Sequence, residues 1–182
     1  MAFLINKNSV KLIWLPFILA CLSSVVSADG AREYEVKAAF LINFARYVEW
    51  PDSSFESADS PLVIGIVGRD PLGVSLDAAA KGKTISGHPI AIHRLHWGDN
   101  LKTCQIIFIA STEREKMNAL ISGTRGAPIL LVGEHAGFAR KGGMIGFYME
   151  QDRVRFEINV EMIKKEKLTA SSRLLGLAKI VG

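Results

Sequence analysis

The chain has 182 residues, with 22 Lys and Arg against 18 Asp and Glu, a formal charge of +4, and two cysteines. That length suits one domain with a sizeable core and is short for two. The slight positive charge, with no dense Lys/Arg stripe interleaved with aromatics, leaves no case for a nucleic-acid partner.

The first 28 residues have the layout of an export signal. Lys7 and Lys11 supply positive charge, 12–22 is an apolar run, and Val26, Ser27 and Ala28 offer small-residue cleavage. The expected division is a signal peptide over 1–28 and one exported domain over 29–182. A retained anchor is the poorer reading, because the run is interrupted by Pro16 and falls short of the roughly 20 residues needed to span a bilayer. Lipid attachment at Cys21 is a further alternative, since Ile18, Leu19 and Ala20 before it loosely resemble a lipoprotein box, with Ile a poor match at the first position. Cleavage leaves about 154 residues with a charge of about +2 and Cys104 as the remaining thiol. Cys104 opens the apolar run CQIIFIAS, where a buried, inert thiol is expected in preference to a dimer-linking or redox-active one.

Residues 34–49, YEVKAAFLINFARYVE, place Val36, Phe40, Phe44, Tyr47 and Val48 at steps of three and four, the rhythm of an amphipathic helix. Lys37, Asn43, Arg46 and Glu49 interrupt it too often for a membrane span. Pro51 closes the helix, and 51–61 is a loop by composition. LVIGIV at 62–67 reads as a buried strand that runs through GRDPLG into a helix over 74–81. IAIHRL at 90–95, CQIIFIAS at 104–111 and PILLVG at 128–133 read as further strands. Between the last two, Ser111 or Thr112 caps a helix with Glu113 and Glu115 in its first turn, and Gly123 ends it. GMIGFYME and RVRFEINV flank Gln151 and Asp152 as a hairpin. Asn159 caps a helix over 160–167, and ASSRLLGLAKIV sets Leu174, Leu175, Leu177, Ala178 and Val181 on a helical stripe. The predicted fold is a single α/β domain: a mostly parallel sheet with an antiparallel edge hairpin, flanked by helices in a Rossmann-like sandwich.

Catalytic chemistry finds little support. Gly65, Gly68 and Gly73 follow a strand, where α/β folds bind ligands, but their spacing is neither GxGxxG nor GxxxxGK[ST]. They suit a turn, with a small-ligand crevice as the functional alternative. No GxSxG or Cys/His pairing supplies an activated nucleophile. His93 and His96 sit three apart in a segment read as strand, which sends them to opposite faces, and His88 and His135 stand alone. GGMIGF at 142–147 lacks the paired acids of a nucleotide cyclase. The pairs Glu113 with Glu115 and Glu150 with Asp152 suit solvated surface. No catalytic, metal or cofactor residues are therefore assigned.

Two segments, KAAFLINFARYVEWP and VGEHAGFARKGGMIGFYMEQDRVRFEINVEMIKKEKLTASSRLLGLAKIV, resemble the YfiR family of periplasmic regulatory proteins, a likeness that spans about 34–181. The combination of Glu-Trp-Pro, GF…GGM, RFEIN and SSRLLGLAK carries the specificity. The resemblance implies a non-enzymatic periplasmic repressor, without cofactor, that binds the periplasmic sensor part of an inner-membrane diguanylate cyclase and lowers cyclic di-GMP and biofilm formation. It also implies an outer-membrane lipoprotein that sequesters the repressor, and a homodimer. The alternative is a periplasmic small-ligand sensor, with its crevice near 68–73, feeding a membrane kinase or cyclase. By resemblance, Ile145, Glu157 and Ile163 occupy positions tied to repression. Interface physics adds Phe147 and Arg155 on the same hairpin, and the competing role for each is core packing or a structural ion pair. Glu157→Lys is expected to release repression and leave the domain folded. Family disulfides would join the position of Cys104 to that of Gly65, and the positions of Ala139 and Gly146; three of these four are not cysteine here.

Overall fold

A computed structural model describes residues 25–110 and 114–182, with side chains described for 30–110 and 116–182. Most of the expected signal peptide and the Ser111 or Thr112 cap lie outside the described residues. The chain divides into a segment ending at Glu33 and a compact unit Tyr34–Gly182, and the second unit carries the sheets.

Helix α1 (Val25–Tyr47) runs into a two-residue strand β1 (Val48–Glu49). Then come β2 (Leu62–Val67), α2 (Gly73–Ala80), β3 (Thr84–Ile85), β4 (His88–Leu95) and β5 (Ile106–Ile109). They are followed by α3 (Arg114–Gly123), β6 (Leu130–Gly133), β7 (Ile145–Glu150) and β8 (Arg153–Asn159). The chain closes with α4 (Val160–Lys165), β9 (Thr169–Ala170), α5 (Ser172–Leu175) and β10 (Lys179–Val181).

The eight-stranded sheet has the order β10-β8-β7-β6-β5-β2-β4-β3. Its middle is parallel, with β2 beside β4 and β5, β5 beside β6 and β6 beside β7. Every residue of β2, β5 and β6 is buried, as expected of parallel strands covered on both faces. On one face α1, α2, α4 and α5 pack over Ile64, Ile66, Phe108, Val132, Phe147 and Ile158. On the other, α3 and Phe138 cover Val63, Val67, Ile107, Ile109 and Leu131. The expected α/β architecture is therefore the observed one.

Three local expectations differ from the structure. Residues 170–181 do not form one helix. Ser171 caps the single turn α5 by accepting from the Leu174 N–H at 3.3 Å, and the chain then extends as β10 parallel to β8. The alternating Ile180 and Val181 suit a strand as well as a helical stripe, and Gly176 just past α5 weakens helical continuation. As a consequence the hairpin is not the sheet edge, because β10 lies outside it. In α1 the buried face is Ala38, Leu41, Ile42, Phe44, Ala45 and Val48, whereas Val36 is exposed. Small residues at 38 and 45 let the helix approach the sheet, and Phe40 sits at the flank, 5.3 Å from the ring of Phe156.

Candidate functional site

The hairpin owes its shape to its turn. Gln151 and Asp152 both have positive φ, 50° and 58°, the type I′ geometry that matches the twist of paired strands. Register then assigns faces: Phe147 opposes Phe156, while Gly146 opposes Glu157, Tyr148 opposes Arg155 and Glu150 opposes Arg153. The phenylalanine face meets α1, where Phe44 stacks 5.7 Å from Phe147 and lies 5.1 Å edge-on to Phe156. The opposite face carries the charge.

That charged face rests on the loop after β6, which glycines shape. A β-carbon on Gly133 would lie 2.8 Å from the Phe138 ring, and one on Gly143 closer still. The two glycines thus form a slot for the fully buried Phe138. Behind it, Asn159 Nδ2 donates to the Ala139 carbonyl at 3.0 Å, and Asn159 Oδ1 accepts from Met162 N at 2.9 Å, capping α4. Arg140 Nε reaches Glu157 Oε2 at 3.4 Å. Glu157 lies over Gly146, where a side chain would press on its carboxylate and on the Ala139 backbone.

Beyond this support the hairpin outruns the core. Met149, Glu150, Arg153 and Arg155 are exposed, with Arg155 Nε 3.8 Å from Glu150 Oε2. On β10, Lys179 sits in register with Glu157 and places its ammonium 5.8 Å from the Tyr148 ring centroid. The face thus combines Arg140, Arg153, Arg155 and Lys179 with Glu150 and Glu157, while the register puts the exposed Met149 and Ile180 on the other face of the sheet.

The residues singled out from sequence divide accordingly. Arg155 is exposed and Glu157 is 8 % exposed, whereas Ile145, Phe147 and Ile163 are buried at 0 %, 3 % and 0 %. These three are core residues of the sheet and α4, so their side chains do not reach an outside partner. Burial also changes the expectation for Glu157→Lys, which would set an ammonium against Arg140 and Lys179.

A second charged feature escaped the sequence reading. Lys37, one of the polar residues that interrupt the first helix, is buried and pairs with Glu134 at 2.7 Å, their side chains 5 % and 9 % exposed. Tyr34 Oη donates to the same carboxylate at 3.3 Å, and the Lys37 ammonium lies 4.5 Å from the Tyr34 ring centroid. Burying a charge demands a partner, so an apolar surround with one lysine in the helical stripe was the available signal.

The glycine loop after β2 is closed by its own residues. Asp70 Oδ1 accepts from the Leu72 and Gly73 N–H groups at 2.8 and 3.0 Å, the donors a phosphate would need. Arg94 bridges Asp70 and Asp77 at 2.8 and 2.9 Å, and those two acids hold its proton more firmly than usual, the Asp77 hydrogen bond foremost. Trp97 lies against Gly68. No group of three or more His, Cys, Asp or Glu able to hold a metal occurs among the described residues. Cys104 is buried, and desolvation raises its thiol pKa.

Comparison with known families gives a match to the YfiR/HmsC-like family model over residues 34–179. Comparison with curated proteins gives no match.

Proposed function

The chain belongs to the YfiR/HmsC-like family, and on that premise we propose that it is a periplasmic regulator that represses an inner-membrane diguanylate cyclase by contact with the cyclase's periplasmic sensor part. The observation that carries the contact site is the outer part of the hairpin, where Arg153 and Arg155 are exposed beside the part-exposed Tyr148 and Met149 is exposed on the other face. A tyrosine among exposed arginines has the make-up of a protein interface. Arg155 and the Arg140–Glu157 pair meet the partner in this proposal. Ile145, Phe147 and Ile163 act from beneath by fixing the hairpin against α1 and α4.

An export signal over 1–28 delivers the domain 29–182 to the periplasm, and a sequestering outer-membrane lipoprotein and a homodimer complete the proposed circuit. Its chemistry is recognition, with no catalytic step assigned. A photo-crosslinking side chain at position 149, installed in the source cell, tests the site. A crosslink to a membrane cyclase supports it. Crosslinks to that cyclase from position 122 on the opposite, α3-covered part of the domain, with none from 149, would move the site elsewhere.

A further inference from the structure

Beneath the N-terminal ends of β2, β5 and β6 lie two adjoining clefts of about 420 and 300 Å³ that share Ser53, Ser54, Lys102 and Gln105 as walls. We propose that these clefts form a binding site for a small metabolite carrying an oxyanion, a carboxylate or a phosphate monoester. The site is separate from the hairpin and does not depend on the proposed partner contact.

The first observation is the Ser54 hydroxyl. Its oxygen is buried with no hydrogen-bond partner among the described residues, a condition that a native structure relieves with a water, an ion or a ligand. The residue is held from both sides: its N–H donates to the Pro51 carbonyl at 2.9 Å, and its carbonyl accepts from Gln105 Nε2 at 2.7 Å. Gln105 is itself held in place, because its Oε1 accepts from Val63 N at 2.8 Å. Its amide is directed to the Ser54 carbonyl and to Val63, and not to the Ser54 hydroxyl.

The second observation is charge. Lys102 lines both clefts and Arg125 lines the smaller one. Both residues are exposed, and neither has an ion pair among the described residues, whereas Arg94, Arg140 and Arg155 are each matched to an acid. Glu56, exposed, is the acid on the lining. Two uncommitted cations on the lining, with the unpaired Ser54 hydroxyl in the wall the clefts share, supply the donors that an oxyanion takes. The walls nearest β6 (Cys104, Ala127, Pro128 and Ile129) can seat a short carbon skeleton.

The test is thermal unfolding of the exported domain with inorganic phosphate, glycerol 3-phosphate or succinate at constant ionic strength. Any probe at about five times its Kd should raise Tm by about 2 to 4 °C. Ser54→Ala, Lys102→Gln and Arg125→Gln should each weaken that probe at least about tenfold, the loss of one charge-assisted hydrogen bond. Lys164→Gln, a surface lysine away from the clefts, should respond as wild type does. Response to phosphate and its ester alone identifies a phosphate site, and response to succinate alone a carboxylate site. No response to any probe, or equal responses in Ser54→Ala and wild type, overturns the proposal.

Discussion

The Cys104 sulfur lies 2.8 Å from the place where a β-carbon on Gly65 would stand, and the two β-carbons would be 3.6 Å apart. That separation falls within the range of natural disulfides. Gly65 on β2 and Cys104, two residues before β5, thus stand at bridging distance, with a cysteine on one side only. Gly65→Cys should form a disulfide with Cys104 under oxidising conditions and stabilise the domain by about 3 to 4 kcal/mol. Non-reducing mass spectrometry and denaturant unfolding with and without reductant measure both effects. A free thiol at 65 after oxidation would show that the added sulfur forces the strands apart.

As the chain stands, Cys104 should behave as an inert thiol. Burial raises its pKa, so thiolate is scarce at neutral pH and alkylation of the native domain should be far slower than of the unfolded chain. The same shift fixes a pH dependence. Below the unfolded value of about 8.5 both states keep the proton and the stability is intact. As pH rises past it, the unfolded thiol ionises first and stability falls. Cys104→Ala should remove that component of the alkaline decline, measured as unfolding free energy against pH. Alkylation equally fast in folded and unfolded chains would contradict the burial.

Lys37 and Glu134 join α1 to the loop after β6. Lys37→Met should destabilise the domain by about 3 kcal/mol or more, because a carboxylate then stays buried without its cation. Adding Glu134→Gln should recover part of the loss. Urea unfolding of the two variants decides the point, and a single variant as stable as wild type would mean the pair contributes nothing net.

On the hairpin, Arg155→Glu reverses an exposed charge beside Glu150 and should lower Tm by no more than about 2 °C while abolishing repression, since exposed ion pairs contribute little stability. Glu157→Lys should cost about 1 to 3 kcal/mol by opposing Arg140 and Lys179, so lost repression there would confound folding with contact. Glu157→Gln is the cleaner probe, and calorimetry beside a cyclic di-GMP assay separates the two effects. Full repression by a folded Arg155→Glu domain would remove the tip from the interface.

Much of the sheet was legible because its physics is local. LVIGIV is β2 at its predicted bounds, the pair Gln151 and Asp152 makes the hairpin turn, and Asn159 caps α4. The Glu-Trp-Pro motif also has a local meaning that only the structure supplies. Glu49 pairs with Thr169 in the β1–β9 ladder, Trp50 Nε1 donates to the Gln105 carbonyl at 3.1 Å, and the Pro51 carbonyl receives Ser54 N. The partners of Glu49 and Trp50 lie more than fifty positions along the chain, so periodicity could not find them. The same distance in sequence hid the Lys37–Glu134 pair and the burial of Ile145, Phe147 and Ile163. A three-residue strand such as β10 is set by its neighbour β8 rather than by its own pattern, so a helical stripe was the natural reading of 170–181.

Removal of the gene from the source cell, with intracellular cyclic di-GMP measured before and after return of the wild-type or the Arg155→Glu chain, tests repression most directly. The account predicts a rise on removal that the wild-type chain reverses and the folded Arg155→Glu chain does not. An unchanged nucleotide level after removal would contradict it.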